Sequence, residues 1–186
     1  ENNRALAKEV LASTQGFNLF GEEYNTASTT VYSYYAKDEA DANRQKPGYY
    51  GEYKTADTDS ATRGFDAWGA KYTTTSKTEY EIKTNNNRPI AIHVTADTIG
   101  DNLFGEGYVT ATDTRYEYTA GEYTDQNGVK HMLLDVLDLG GTKTLSVTTG
   151  SDIWGAEYKT ISTTIYASEN NRALAKEVLA STQGFN

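Results

Sequence analysis

The stretch FDAWGAKYTTTSKTEY (65–80) decides how this chain is read. After the aromatic-glycine pair Trp68-Gly69, every second position is taken by Tyr72, Thr74, Ser76, Thr78 and Tyr80. The positions between and beside them are Lys71, Thr73, Thr75, Lys77, Glu79 and Glu81. A period of two, filled by aromatic and β-branched residues, describes a β-strand with one Tyr/Thr face and one solvated face. The same pattern returns three times without a spacing slip. Phe20-Gly21 leads into Tyr24, Thr26, Ser28, Thr30 and Tyr32; Phe104-Gly105 into Tyr108, Thr110, Thr112, Thr114 and Tyr116; Trp154-Gly155 into Tyr158, Thr160, Ser162, Thr164 and Tyr166.

Working outward, residues 1–18 (ENNRALAKEVLASTQGFN) recur unchanged at 169–186, a period of 168. A weaker period of 84 lies inside it, because NNRPIAIHVTADTIGDN (86–102) aligns with NNRALAKEVLASTQGFN (2–18). Such periodicity marks a repeat architecture whose units bury one another's faces. The expected organisation is a first unit at 1–85, a second at 86–168 and the start of a third at 169–186. The remaining strands are expected at 5–14, 89–98 and 173–182, at 49–58, and at 132–147 as two strands broken at Gly140-Gly141. ALAKEVLA has good helix formers, but the aligned PIAIHVTA begins with Pro and is β-branched, so a strand is expected in both places. Corners of the form Gly-x-(Asn/Asp)-x-(Phe/Trp)-Gly at 16–21, 64–69, 100–105 and 150–155 join the two strand types.

Leu, Ile, Val and Phe supply 31 of the 186 residues, while Tyr alone supplies 15. So few aliphatic groups fill a closed core poorly. A stack of strands is better served, with Tyr on Tyr and Thr on Thr each contributing about 0.2–1 kcal/mol. The expected fold is therefore all-β: an elongated tandem β-hairpin repeat, solenoid-like or a tube-forming sheet. Tyr24, Tyr32, Tyr72, Tyr80, Tyr108, Tyr116, Tyr158 and Tyr166, with Trp68 and Trp154, are expected to form its structural ladder.

The net charge of −9 argues against nucleic acid and anionic membrane partners. No apolar run approaches a spanning length, so no membrane insertion is expected. The absence of Cys removes disulfides and thiol chemistry. His93 and His131 have no ligand spacing and read as surface residues. Asp57 with Asp59, and Asp97 with Asp101, could offer oxygens to Ca²⁺, yet neither pair forms the acidic loop that binds it. Glu22-Glu23 has no counterpart pair at Glu106-Gly107, which points to surface charge rather than paired catalytic acids. No enzyme activity and no cofactor are expected.

FDAWGAKYTTTSKTEY, NLFGEGYVTATDTRYEY (102–118) and SDIWGAEYKTISTTIY (151–166) resemble the YD (RHS-like) tandem β-hairpin repeats of very large bacterial surface and secreted proteins. The resemblance implies an extended surface repeat. The functional expectation is a structural or adhesive fibre, extracellular or at the cell surface, assembling head to tail with copies of itself or neighbouring repeats through continuous sheet. The duplicated terminal segment keeps a strand-swapped or engineered barrel open as an alternative, and the aromatic rows a carbohydrate-binding module with a glycan ligand.

Overall fold

The computed structural model describes residues 6–17, 21–35, 52–65, 68–83, 88–101, 103–124, 126–169 and 172–185. Among these residues nine strands follow one another: β1 (Glu9–Phe17), β2 (Glu23–Tyr34), β3 (Tyr53–Phe65), β4 (Lys71–Lys83), β5 (Arg88–Asp101), β6 (Gly107–Thr124), β7 (Lys130–Ser151), β8 (Glu157–Glu169) and β9 (Arg172–Phe185). They lie in one sheet in chain order, each antiparallel to the next, with β1 and β9 as its two edges. The molecule is all-β and built of hairpins, and no helix among the described residues is long and apolar enough to cross a membrane. The sheet is open.

Pairing keeps one register through the central part of all nine strands, so side chains line up in straight rows across the sheet. One row is Thr in every strand: Thr14, Thr26, Thr62, Thr74, Thr98, Thr110, Thr148, Thr160 and Thr182. Its hydroxyls bond in pairs across alternate strand gaps, Thr26–Thr62 at 2.9 Å, Thr74–Thr98 at 2.8 Å, Thr110–Thr148 at 2.9 Å and Thr160–Thr182 at 2.9 Å. Thr does stand on Thr.

The first tyrosine of each repeated pattern does not stand on another tyrosine. The neighbouring row alternates Gly16, Tyr24, Gly64, Tyr72, Gly100, Tyr108, Gly150, Tyr158 and Gly184. Each corner contributes the last glycine of one strand and the first tyrosine of the next. A Cβ built on Gly16, Gly64, Gly100 or Gly150 would collide with the ring of Tyr24, Tyr72, Tyr108 or Tyr158, respectively. The phenol ring thus covers the glycine beside it. A strand-interior glycine ordinarily weakens a sheet, and an aromatic laid over it restores the missing contact.

The second tyrosines find other partners. Tyr80 and Tyr166 place their hydroxyls on Thr58 (3.3 Å) and Thr144 (2.6 Å), and Tyr32 lies 5.4 Å from Tyr53, centroid to centroid. At this end the pairing bulges, at Ser33/Tyr34, Glu79/Tyr80, Arg115/Glu117 and Ile165/Tyr166. Bulges bend and twist a sheet. β3 and β5 approach within 8 Å of each other, Cα to Cα, across β4, and β7 and β9 do so across β8, so the sheet is curled.

β7 corrects the expected break at Gly140-Gly141: it runs unbroken for 22 residues. Gly141 lies where the β6–β7 register shifts, and a Cβ there would strike the Glu117 side chain. The glycine gives way to a neighbour's side chain rather than to a turn. Among the described residues the only buried apolar side chains are Ala56 and Ile90. Among the described residues, cross-strand rows rather than a hydrophobic core hold this sheet together.

Candidate functional site

Three features of the surface are candidates for function: the turn row at one end, a charged cluster on one face, and the two open edges. The straight register brings the turns after β1, β3, β5 and β7 to one end of the sheet. In each, the second corner glycine has positive φ, 86° at Gly21, 88° at Gly69, 81° at Gly105 and 83° at Gly155, a conformation in which other residues are strained. The turn after β7 shows how the corner is built. The Asp152 carboxylate accepts from the backbone N–H of Trp154 (2.9 Å) and of Ala156 (2.8 Å), while its carbonyl accepts from the N–H of Gly155 (3.0 Å). Asn18, Asp66 and Asn102 hold the same place in the other corners, outside the described residues. An Asn or Asp at this position makes the turn by bonding its own backbone onward.

This geometry moves the two tryptophans out of the ladder. Trp68 and Trp154 lie in turns and are 72% and 83% exposed, and Phe104 in the equivalent turn is 74% exposed. The aromatic that precedes a positive-φ glycine is lifted off the strand, so it cannot be a rung. Tyr32, Tyr72, Tyr80, Tyr108, Tyr116, Tyr158 and Tyr166 are half-buried on the strands themselves, whereas Tyr24, beside the edge strand, is exposed. Burial raises the Tyr32 and Tyr116 phenols above their ordinary value.

On the opposite face His93 joins three strands. Its Nε2 lies 2.8 Å from Asp113 on β6 and its Nδ1 3.2 Å from Glu79 on β4. Lys77 reaches Glu79 (3.2 Å) and Arg115 reaches Asp113 (3.3 Å), which completes a row of alternating charge. Both ring nitrogens can donate to carboxylates only in the imidazolium form. The bonds to Asp113 and then Glu79 accordingly raise the His93 pKa above 6.5, while the bond from His93 holds Asp113 and Glu79 below their ordinary values of 3.8 and 4.5. The sequence placed His93 on the surface but could not show these partners, because they come from 14 and 20 residues away in the chain.

A pH dependence follows from the signs. The raised histidine stabilises the fold below its ordinary 6.5 and loses that contribution as pH climbs through its higher folded value; the depressed carboxylates stabilise above their ordinary values and lose it as pH falls. The cluster therefore contributes most between the usual carboxylate range and 6.5. Melting curves taken from pH 6 to pH 9 should drop by no more than ~4 °C on this account, as partly exposed pairs are weak. His93→Asn should flatten that segment of the profile; an unchanged slope would show that the cluster does not contribute.

The aspartates considered for Ca²⁺ are not gathered at one point. Asp57 and Asp59 are alternate residues of β3, opposite Glu79 and Lys77 on β4, while Asp97 and Asp101 lie on β5, opposite Ala111 and Gly107. Among the described residues no group of three His, Asp or Glu side chains is arranged to hold a metal. His131 lies on β7 opposite Tyr123, and its side chain is outside the described ones.

The edges differ from their internal counterpart. β1 and β9 align in sequence with β5, yet β5 has neighbours on both sides while β1 and β9 have one each. Val94 of β5 is half-buried, whereas Val10 of β1 and Val178 of β9 are 43% and 58% exposed. No protein-family model, no curated protein and no solved structure matches the chain.

Proposed function

We propose that the chain is a stretch of a structural, adhesive fibre at the cell surface or outside the cell, in which an 84-residue, four-strand unit joins the next by continuous sheet. Its role on this reading is mechanical rather than catalytic, and its partners are further copies of the same unit. The observation that carries it is β5, a strand of the β1/β9 type flanked in one register by β4 and β6. The outer edge of β9 offers a further strand what β5 offers to β6. Side-chain bonds repeat with the unit as well. Tyr34 donates to the Ala7 carbonyl (2.8 Å) as Tyr118 does to that of Ala91 (3.0 Å), and the Thr58–Tyr80 contact returns as Thr144–Tyr166. In such an array stability adds up unit by unit.

The test is extension. Appending residues 19–186 after Asn186 adds a full 168-residue period, eight further strands, behind β9. Solution scattering should show one continuous particle lengthened by up to roughly 40 Å, eight strand spacings, with a higher melting temperature. Val178→Lys, mild at the exposed edge of the present chain, should split the extended one by burying an unpaired charge at the junction. Two independently tumbling bodies in the unsubstituted extension would overturn the proposal.

A further inference from the structure

Beyond the fibre reading, we infer that the turn aromatics form a comb that binds a neutral, extended, β-linked polysaccharide laid across the strand ends. Trp68, Phe104 and Trp154 occupy the same place in successive turns, each before a glycine of φ 81–88°. Consecutive turns are separated by two strands, so the turns that carry the rings recur about every 9.5 Å. That interval is close to one disaccharide of an extended β-1,4-linked chain, which presents the same sugar face once per disaccharide. Each pyranose has an apolar C–H face and a hydroxyl rim, and an exposed aromatic ring stacks against the face.

Trp68, Phe104 and Trp154 are each exposed by more than two thirds, and together they place a row of large rings at one end of the sheet. The backbone beside each ring is fixed by the positive-φ glycine and, in the turn after β7, by the two bonds to Asp152. Binding then costs little ordering of the protein. The same end carries Glu22, Glu106, Asp152 and Glu157 within or beside the turns, against Lys71, which holds beside Trp68 the place of Glu157. Carboxylates accept bonds from sugar hydroxyls and repel anionic polymers. The ligand class is thus a neutral glycan, not an acidic one.

The experiment is affinity electrophoresis of the whole chain through gels containing hydroxyethyl cellulose, with amylose and alginate gels beside it, and pull-down on insoluble chitin and cellulose. Retardation by the β-linked neutral polymers alone is expected. Trp68→Ala or Trp154→Ala should weaken it about tenfold each and the double variant about a hundredfold. Because these side chains are exposed, melting temperatures should stay unchanged, which separates lost binding from lost folding. Phe104→Ala should weaken binding no more than either single tryptophan variant, phenyl being the smaller stacking surface. No retardation in any β-linked neutral polymer would overturn the inference, as would binding that survives in the double variant. Equal retardation by amylose would refute the spacing argument, and retardation by alginate the charge argument. None of these outcomes bears on sheet continuation, which scattering of the extended chain reads separately.

Discussion

Replacing Gly100 by valine is expected to destabilise the sheet by about 1–3 kcal/mol, the range for forcing extra carbon into a filled site. By propensity alone the change should help, since valine suits a strand and glycine does not. The opposite sign is expected because the Tyr108 ring already occupies the space of a Cβ on Gly100. The new side chain would push the ring off the strand, uncovering apolar surface on both. Gly64, under Tyr72, and Gly150, under Tyr158, should behave alike. At Gly150 the cost should be larger, because a Cβ there also meets the Gly107 carbonyl at 2.8 Å, and backbone cannot swing away as a ring can. The decisive measurement is a double-mutant cycle in urea. Tyr108→Ala alone should destabilise, but in its presence Gly100→Val should become neutral or stabilising. Strictly additive effects would mean that the ring and the glycine do not act as a unit.

That pairing marks the boundary of what the sequence alone reveals. Strand identity was legible because Tyr-x-Thr-x-Ser-x-Thr-x-Tyr is a local pattern, and period two needs no partner to be recognised. The Thr row followed from it, since four equal strands in register must align equal residues. The partner strands were harder. β3 carries Thr58, Ser60, Thr62 and Gly64 on its ladder face, small residues whose alternation with Asp57, Asp59 and Arg63 is one of polarity against polarity. Tyr opposite Gly was hidden because it depends on antiparallel order: the glycine that closes one strand meets the tyrosine that opens the next. The same corner pattern contained the exposed aromatics, but Trp before Gly reads equally as rung or turn until the φ of the glycine is known. Gly140-Gly141 misled for the reason that glycine has two uses, a turn and a close approach, and here it serves the second. His93 was placed on the surface, while its carboxylates, on two other strands, were not legible without the register.

Thr144→Val should cost about 1–3 kcal/mol, more than any other hydroxyl removed from the rows, since it strands buried polar partners. The other described Thr pairs are part-buried or exposed, so water can partly replace a lost partner. Thr144 and Thr114 are both more than nine-tenths buried, and their hydroxyls lie 2.7 Å apart. Thr144 also meets the Tyr166 hydroxyl at 2.6 Å, so one oxygen joins β6, β7 and β8. Valine keeps the shape of threonine and deletes both bonds, leaving Thr114 buried without this partner. Thr114→Val leaves the Thr144–Tyr166 bond in place and should cost less. The double variant should cost little more than Thr144→Val alone, because it removes the orphaned Thr114 hydroxyl and leaves only the half-buried Tyr166 hydroxyl short of a partner. At the edge, where the Thr160–Thr182 bond is exposed, Thr182→Val should stay within about 0.5 kcal/mol. Thermal unfolding reads the series, with each kcal/mol moving the midpoint by ~2–4 °C for a chain of this size. Equal costs at Thr144 and Thr182 would show that burial of the hydroxyl, the feature that sets the two sites apart, does not govern the strength of the row.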